Sequence, residues 1–379
     1  MTPVFLRALL TQDVTPPFSE RERLVALLAA LEDPPRAAAL APDDPILVAV
    51  ARHHRLSPLL SATCGETLPT PLAETFRRDR LVTAARNMIL GQVAEECLGM
   101  LAGAGIRTIV LKGLDYEARL YRVAGARPTA DVDLLVPNEK RREAFSVLDR
   151  LGFEPRAAAP GFDDSDYHEV AWTRRGVEVD LHMALAPFAR CRIDYAAVWA
   201  KAAGSRVGQT DALVLAPTHA AIFQALHMAI DHFDVPAIYL IDLEQLLAAG
   251  GDLIGTEAVA WGWHCHGPLS TALGLARFFL PSSAHLGPKA EPSARARRVI
   301  DSYGSTAPLP RSEQLFRKLA HFDTTFDAFH YVLTQSWRNI REQIERRVRH
   351  RSVRERLMLP ARSDQRSDPE RAGPSAEMR

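Results

Sequence analysis

Neither sign of charge is in excess in this chain: 46 Lys and Arg residues stand against 46 Asp and Glu residues. No global field therefore draws in nucleic acid, which counts against a polymerase or a general RNA-binding protein. Cysteine is scarce. Cys64, Cys97, Cys191 and Cys265 are scattered, with no pair at metal-ligand spacing, and they read as reduced thiols. Long apolar runs are missing as well. No stretch approaches the ~18 residues a spanning helix needs, and "MTPVFLRALLTQDVTPP" has neither the apolar core nor the cleavage site of a signal peptide. These absences predict a cytoplasmic protein with no membrane partner. Neither a G-x-S-x-G elbow nor a Walker-type phosphate loop occurs, so serine hydrolase and P-loop chemistries have no support.

What is present is a globular profile, 47% hydrophobic and 24% charged over 379 residues, enough for two or three domains. Residues 1–105 read as a helical region. Leu24, Leu27, Leu28 and Leu31 share one helix face, "PILVAVARHHRLSPLL" reads as a helix with a break near Pro58, and a long helix closes at Gly103 and Gly105. The period then changes. "RTIVLKG" and "DVDLLV" read as short strands, and "HEVAWTRRGVEVDLHM" as a hairpin turning at Arg175-Gly176. This central α+β region is set at residues 106–205. A second helical region follows over 206–358, beginning with "THAAIFQALHMAIDHF", and the tail 359–379 lacks apolar residues to bury and reads as disordered.

Chemistry concentrates in the central region. Alternate side chains of a strand share a face, so Asp131 and Asp133 project together while Val132, Leu134 and Val136 face a core. Two like charges on one face repel unless a cation sits between them. A divalent cation is therefore the expected main partner of both, with pairing to arginines as the alternative. Glu178, Asp180 and His182 repeat the device on a later strand. Three carboxylates on neighbouring strands can hold two ions ~3.5–4 Å apart, the arrangement that clamps attacking and leaving oxygens in phosphoryl or nucleotidyl transfer. Lys112-Gly113 ends the preceding strand, where a tight turn can offer a cation and backbone N–H groups to phosphates. Arg127 lies just ahead of the aspartates.

The string "LKG…R…DVDLLV…LGF…VEVDLH" resembles the uncharacterised bacterial nucleotidyltransferase family, which carries Leu-Lys-Gly where its wider superfamily carries Gly-Ser. The likeness spans residues 20 to 250. It implies a nucleotidyltransferase-like mixed sheet flanked by N- and C-terminal helical regions. It implies Asp131 and Asp133 as metal ligands, with Asp180 as the third carboxylate; Asp180 is preferred to Glu178 because, with His182, it fits the family's acid-x-His ending. Lys112, Gly113 and Arg127 would contact the nucleotide phosphates. The implied activity is Mg²⁺- or Mn²⁺-dependent transfer of a nucleoside monophosphate from an NTP such as ATP to an acceptor: a small molecule, peptide, protein or RNA. A degenerate nucleotide-binding regulatory module and a non-enzymatic helical interaction protein are the alternatives.

Other features carry less. His264, Cys265 and His266 cluster, but no second ligand group follows at zinc spacing. His219 and His227 lie on one helix and read first as capping or core histidines, with a cleft-lining role as the alternative; Asp242 reads as a partner for a neighbouring helix. Arg338 to Arg356 forms a basic stretch with Ile340, Ile344 and Val348 along one side. It reads as a solvated helix, with a contact for an acidic partner or RNA as the alternative.

Overall fold

A computed structural model describes residues 19–156, 167–187, 190–250, 252–287, 291–304, 309–320 and 322–334. The basic stretch Arg338 to Arg356 and the tail 359–379 lie outside the described residues. The first helix, α1 (Glu20–Glu32), opens on a reciprocal cap. The Glu22 N–H donates to Ser19 Oγ at 3.3 Å and the Ser19 N–H to the Glu22 carboxylate at 2.6 Å. Leu24, Leu27 and Leu28 are fully buried, and Leu31 packs beside them. In α2 (Pro45–His53) and α3 (Ser57–Cys64) a proline sits in the first turn, where its missing N–H has no helical partner to lose. The long α4 (Thr70–Gly103) ends as its glycines predict. Gly105 adopts the left-handed φ of 70°, and the Ile106 N–H reaches back to the Leu101 carbonyl at 2.9 Å.

The sheet is built from β1 (Ile109–Val110), β2 (Val132–Leu135), β3 (Glu154–Pro155), β4 (Glu169–Arg174), β5 (Val177–His182), β6 (Ala203–Val207) and β7 (Thr210–Val214), in the order β3-β4-β5-β2-β1-β7-β6. Helices α5 (Lys112–Leu120), α6 (Arg141–Arg150) and α7 (Tyr195–Ala200) connect its strands. The β4–β5 hairpin falls where the alternating sequence predicts it. The β6–β7 hairpin does not come from that pattern, and it carries the sheet past residue 205, because β7 pairs in parallel with β1. β2 is parallel to β5, with Asp133 opposite Asp180 and Leu135 opposite His182.

This register sorts the two faces. Val132, Leu134, Val136, Val179 and Leu181 pack under Leu90, Ala94 and Leu98 of α4 and Ala144, Val147 and Leu148 of α6. Each such aliphatic burial stabilises by ~1.5–3 kcal/mol. The opposite face is covered by the C-terminal helices, of which α8 (Pro217–Ile230) and α9 (Ile238–Ala248) lie nearest, followed by α10 (Leu253–Gly262), α11 (His266–Phe279), α12 (Ala294–Ser302) and α13 (Arg311–Ala320). The N-terminal helices join this same core: Leu24, Leu27, Val50 and Leu60 cluster with Phe223, Ile238 and Leu273. The result is an α+β fold, a mixed sheet flanked by helical regions. No described helix is long and apolar enough to cross a membrane.

Candidate active site

The acidic residues of β2 and β5 open into a cavity of about 240 Å³ between the sheet and α8 and α9. Lys112, Gly113, Arg127, Asp131, Asp133 and Asp180 all line it. Side chains chosen from sequence alone are thus brought to one place.

The Lys-Gly turn that ends β1 is tightly made. Lys112 takes a φ of 34°, in the sparsely allowed left-handed direction, and Gly113 breaks the helical backbone at φ 1°, ψ −87°. A Cβ on Gly113 would lie 2.5 Å from Thr129 Cγ2, so a side chain is excluded unless Thr129 moves. The turn aims the Lys112 ammonium inward. Its Nζ lies 2.9 Å from Asp133 Oδ1, and His182 Nε2 meets that same oxygen at 2.9 Å. Glu169 lies 3.2 Å from the other ring nitrogen of His182.

Asp133 is thus partnered by protein groups, neither of them an arginine: the Lys112 ammonium and the His182 ring. Burial would push the Asp133 carboxyl up, but Lys112 and His182 outweigh burial and hold it well below the usual range. Burial equally works against a charged Lys112, and Asp133 with Asp131 more than offsets it, so the ammonium is held firmly. Burial opposes protonation of His182 too, and the Asp133 contact overrides it and raises the imidazole.

Asp131 and Asp180 are placed differently. Together with Glu178 they put carboxylate oxygens within 4.8 Å of one another, the one such group of three metal-binding side chains among the described residues. Glu178, ranked behind Asp180 from sequence, stands with it, while Asp133 stands outside. Asp180 Oδ1 is buried without a hydrogen-bond partner among the described residues, a costly condition for a carboxylate unless something else satisfies it. Burial and then Asp133 push the Asp180 carboxyl up to about 7, and the same two causes raise Asp131. An all-oxygen donor set with an orphaned buried oxygen fits a hard divalent cation.

Arg127 lines the cavity but is committed elsewhere. Its Nη2 and Nε donate to the Asp242 carboxylate at 2.8 and 3.0 Å, both residues being buried, and the Tyr121 hydroxyl donates to Asp242 at 2.7 Å. Its backbone carbonyl accepts from Asn87 Nδ2 at 2.9 Å. Asp242 thus pairs between elements, as its place in an apolar helix suggests, and Arg127 braces the loop leading to Asp131.

Sequence reasoning did not single out Arg55, Glu169, Asp231 or Tyr239, which also line the cavity. Arg55 follows α2 with a left-handed φ of 57°, lies 5.8 Å over the Tyr239 ring, and forms no ion pair among the described residues. A non-glycine φ of that sign leaves no trace in sequence. His227 lines the cavity, held neutral by burial and then Lys112; His219 is buried against Trp263 instead. The His264–His266 cluster disperses: His264 meets Asp327 at 3.0 Å, His266 stacks on Trp261, and Cys265 is buried.

A family model described as uncharacterised nucleotidyltransferase matches residues 41–281. No curated protein matches the chain. Among solved structures, the solution structure of the antibiotic-resistance factor ANT(2'')-Ia aligns at 13% identity and a TM-score of 0.35, covering 46% of this chain and 91% of that one. The crystal structure of ANT(2'')-Ia in complex with adenylyl-2''-tobramycin aligns at 15% identity and a TM-score of 0.34, covering 45% and 95% respectively.

Proposed function

Because the chain belongs to the uncharacterised nucleotidyltransferase family, we propose that it transfers a nucleoside monophosphate from an NTP to an acceptor hydroxyl and releases pyrophosphate. The observation that carries this reading is the convergence of Asp131 and Asp180 beside the Lys112–Gly113 turn in one cavity, with a Glu178 carboxylate oxygen within 4.8 Å of theirs. Asp131 and Asp180 would hold Mg²⁺ or Mn²⁺, which when bound neutralises the triphosphate and lowers the acceptor hydroxyl's pKa.

The chain's own groups account for the rest. The acceptor oxygen forms a bond to the α-phosphorus as the α–β bridging P–O bond breaks, and pyrophosphate takes the electron pair. Asp180, in the cavity with its buried Oδ1 lacking a hydrogen-bond partner among the described residues, is placed to receive the acceptor's proton. Gly113, bare of a side chain, lets backbone approach the phosphates. Arg55 adds a cation without a carboxylate partner among the described residues, and Arg127 keeps the Asp131 loop in place through Asp242. An NTP donor and reduced cysteines fit a cytoplasmic setting.

The test is incubation with each α-labelled NTP and Mg²⁺ or Mn²⁺, with and without fractionated cell extract, read by mass spectrometry. The expected result is a product heavier by one nucleoside monophosphate, on an extract component or on the protein itself, that Asp180→Asn does not form. Transfer that survives Asp180→Asn unchanged would remove the assignment.

A further inference from the structure

We infer that Lys112 fills one of the two cation positions of this site, so that the chain takes a single divalent ion, between Asp131 and Asp180. This rests on the transferase reading above and revises the two-ion arrangement expected from sequence.

The charges lining the cavity, and Glu178 next to Asp131 and Asp180, sort into satisfied and unsatisfied groups. Asp133 is satisfied: its Oδ1 meets Lys112 Nζ and His182 Nε2, each at 2.9 Å. Glu169 shares His182 at 3.2 Å, and Glu178 is matched by Arg156 Nη1 at 3.0 Å. Among the described residues Asp131 and Asp180 have no ion pair, and the buried Asp180 Oδ1 has no hydrogen-bond partner. Arg55 and Asp231, the other charges of the lining without a charged partner among the described residues, offset each other in the count, so two negative charges remain and one divalent cation balances them. A second divalent ion bridging to Asp133 would stand against an ammonium already in contact with that carboxylate, where like charges a few ångströms apart in a poorly hydrated site repel strongly.

Lys112 is also built into place. Its side chain is 11% exposed, and its backbone is fixed in a left-handed turn. Gly113 behind it packs its Cα face against Thr129, and the Gly113 carbonyl accepts from Arg127, itself locked to Asp242. An exposed lysine on a mobile loop would swing away from an incoming ion. This one is held from both sides, and the same contacts explain why lysine suits the position next to glycine.

Manganese paramagnetic resonance of the full chain with a non-hydrolysable α,β-methylene NTP analogue tests the inference. Bound Mn²⁺ is counted per chain, and a spin-coupled pair is distinguished from an isolated ion. Wild type should hold one isolated Mn²⁺. Lys112→Met, checked for native circular dichroism, should hold two in a spin-coupled pair; if it does not fold, Lys112→Gln takes its place and the wild-type count still decides. A coupled pair in wild type overturns the inference while leaving the transferase reading intact. A single ion in both proteins shows that Lys112 does not exclude the second. Absence of bound Mn²⁺ from wild type overturns the inference and the transferase reading together.

Discussion

Asp131, in the bend just ahead of β2, and Asp133, within it, line the same cavity, yet they have different chemical roles. Asp133 is almost wholly buried between Lys112 and His182, whereas Asp131 shares its surroundings with Glu178 and Asp180. Replacing each by asparagine should separate them. Asp133→Asn strands the buried Lys112 ammonium and removes the His182 ring's partner, and breaking a buried pair of this kind costs ~3–5 kcal/mol. Asp131→Asn removes a charge that burial and Asp133 both disfavour, so ligand-free stability should stay level or rise slightly while metal binding is lost. Urea unfolding of both variants, with wild type alongside, reads the difference; equal losses of stability would show that the two carboxylates do similar structural work. Their convergence was legible because a strand alternates with period two. The division of labour was not, since it depends on a turn and a neighbouring strand folding against them. Glu178 was passed over for the same kind of reason: alternation placed it beside Asp180, but only the packed strands show its oxygen within reach of Asp131.

Among elements, helices with strong periodicity were the easiest to read, and α1, α4, α8 and α9 fall where apolar spacing and terminal glycines put them. The β6–β7 hairpin escaped. "AGSRV" and "TDALV" are short and partly polar, and β7 gains its central place by pairing with β1, more than a hundred residues earlier in the chain. Contacts between distant elements are likewise silent in sequence. His54, at the end of α2, accepts the Ala237 N–H on Nδ1 at 3.2 Å, and its carbonyl accepts from Ile238 at 3.3 Å, joining the N-terminal helices to α9. Burial, then His53, depresses the His54 pKa to about 3. Between that value and the unfolded ~6.5 the unfolded chain binds a proton that the folded chain refuses. The contribution of His54 is therefore complete above pH 6.5 and is lost as pH falls toward 3, at up to ~1.4 kcal/mol per pH unit. Thermal unfolding of wild type and His54→Gln across pH 7.5 to 4.5 should show the wild type losing stability more steeply. Parallel curves would mean that His54 titrates normally in the folded protein.

At the scale of the whole molecule, the helical regions on either side of the central one share a core, and a second core lies between α4, α6 and the sheet. The N-terminal helices pack with the C-terminal ones, while α4 covers the apolar face of the sheet. The cavity depends on that arrangement: Arg55 comes from the N-terminal helices, the carboxylates from the sheet, and His227 and Tyr239 from the C-terminal helices. A ligand bound there touches the N-terminal helices, the sheet and the C-terminal helices α8 and α9, so its binding should register in global unfolding. The measurement that bears most directly on the proposed activity is thermal unfolding with and without Mg²⁺ plus a non-hydrolysable NTP analogue, for wild type, Asp131→Asn, Asp180→Asn and Asp231→Asn. At a hundredfold excess over Kd, binding to the folded state alone stabilises by ~2.7 kcal/mol. Wild type and Asp231→Asn, whose altered residue lines the cavity outside the carboxylate group, should both be stabilised, and Asp131→Asn and Asp180→Asn should not. Equal stabilisation of all four proteins would show that Asp131 and Asp180 do not hold the metal-bound nucleotide, and would contradict the function proposed here.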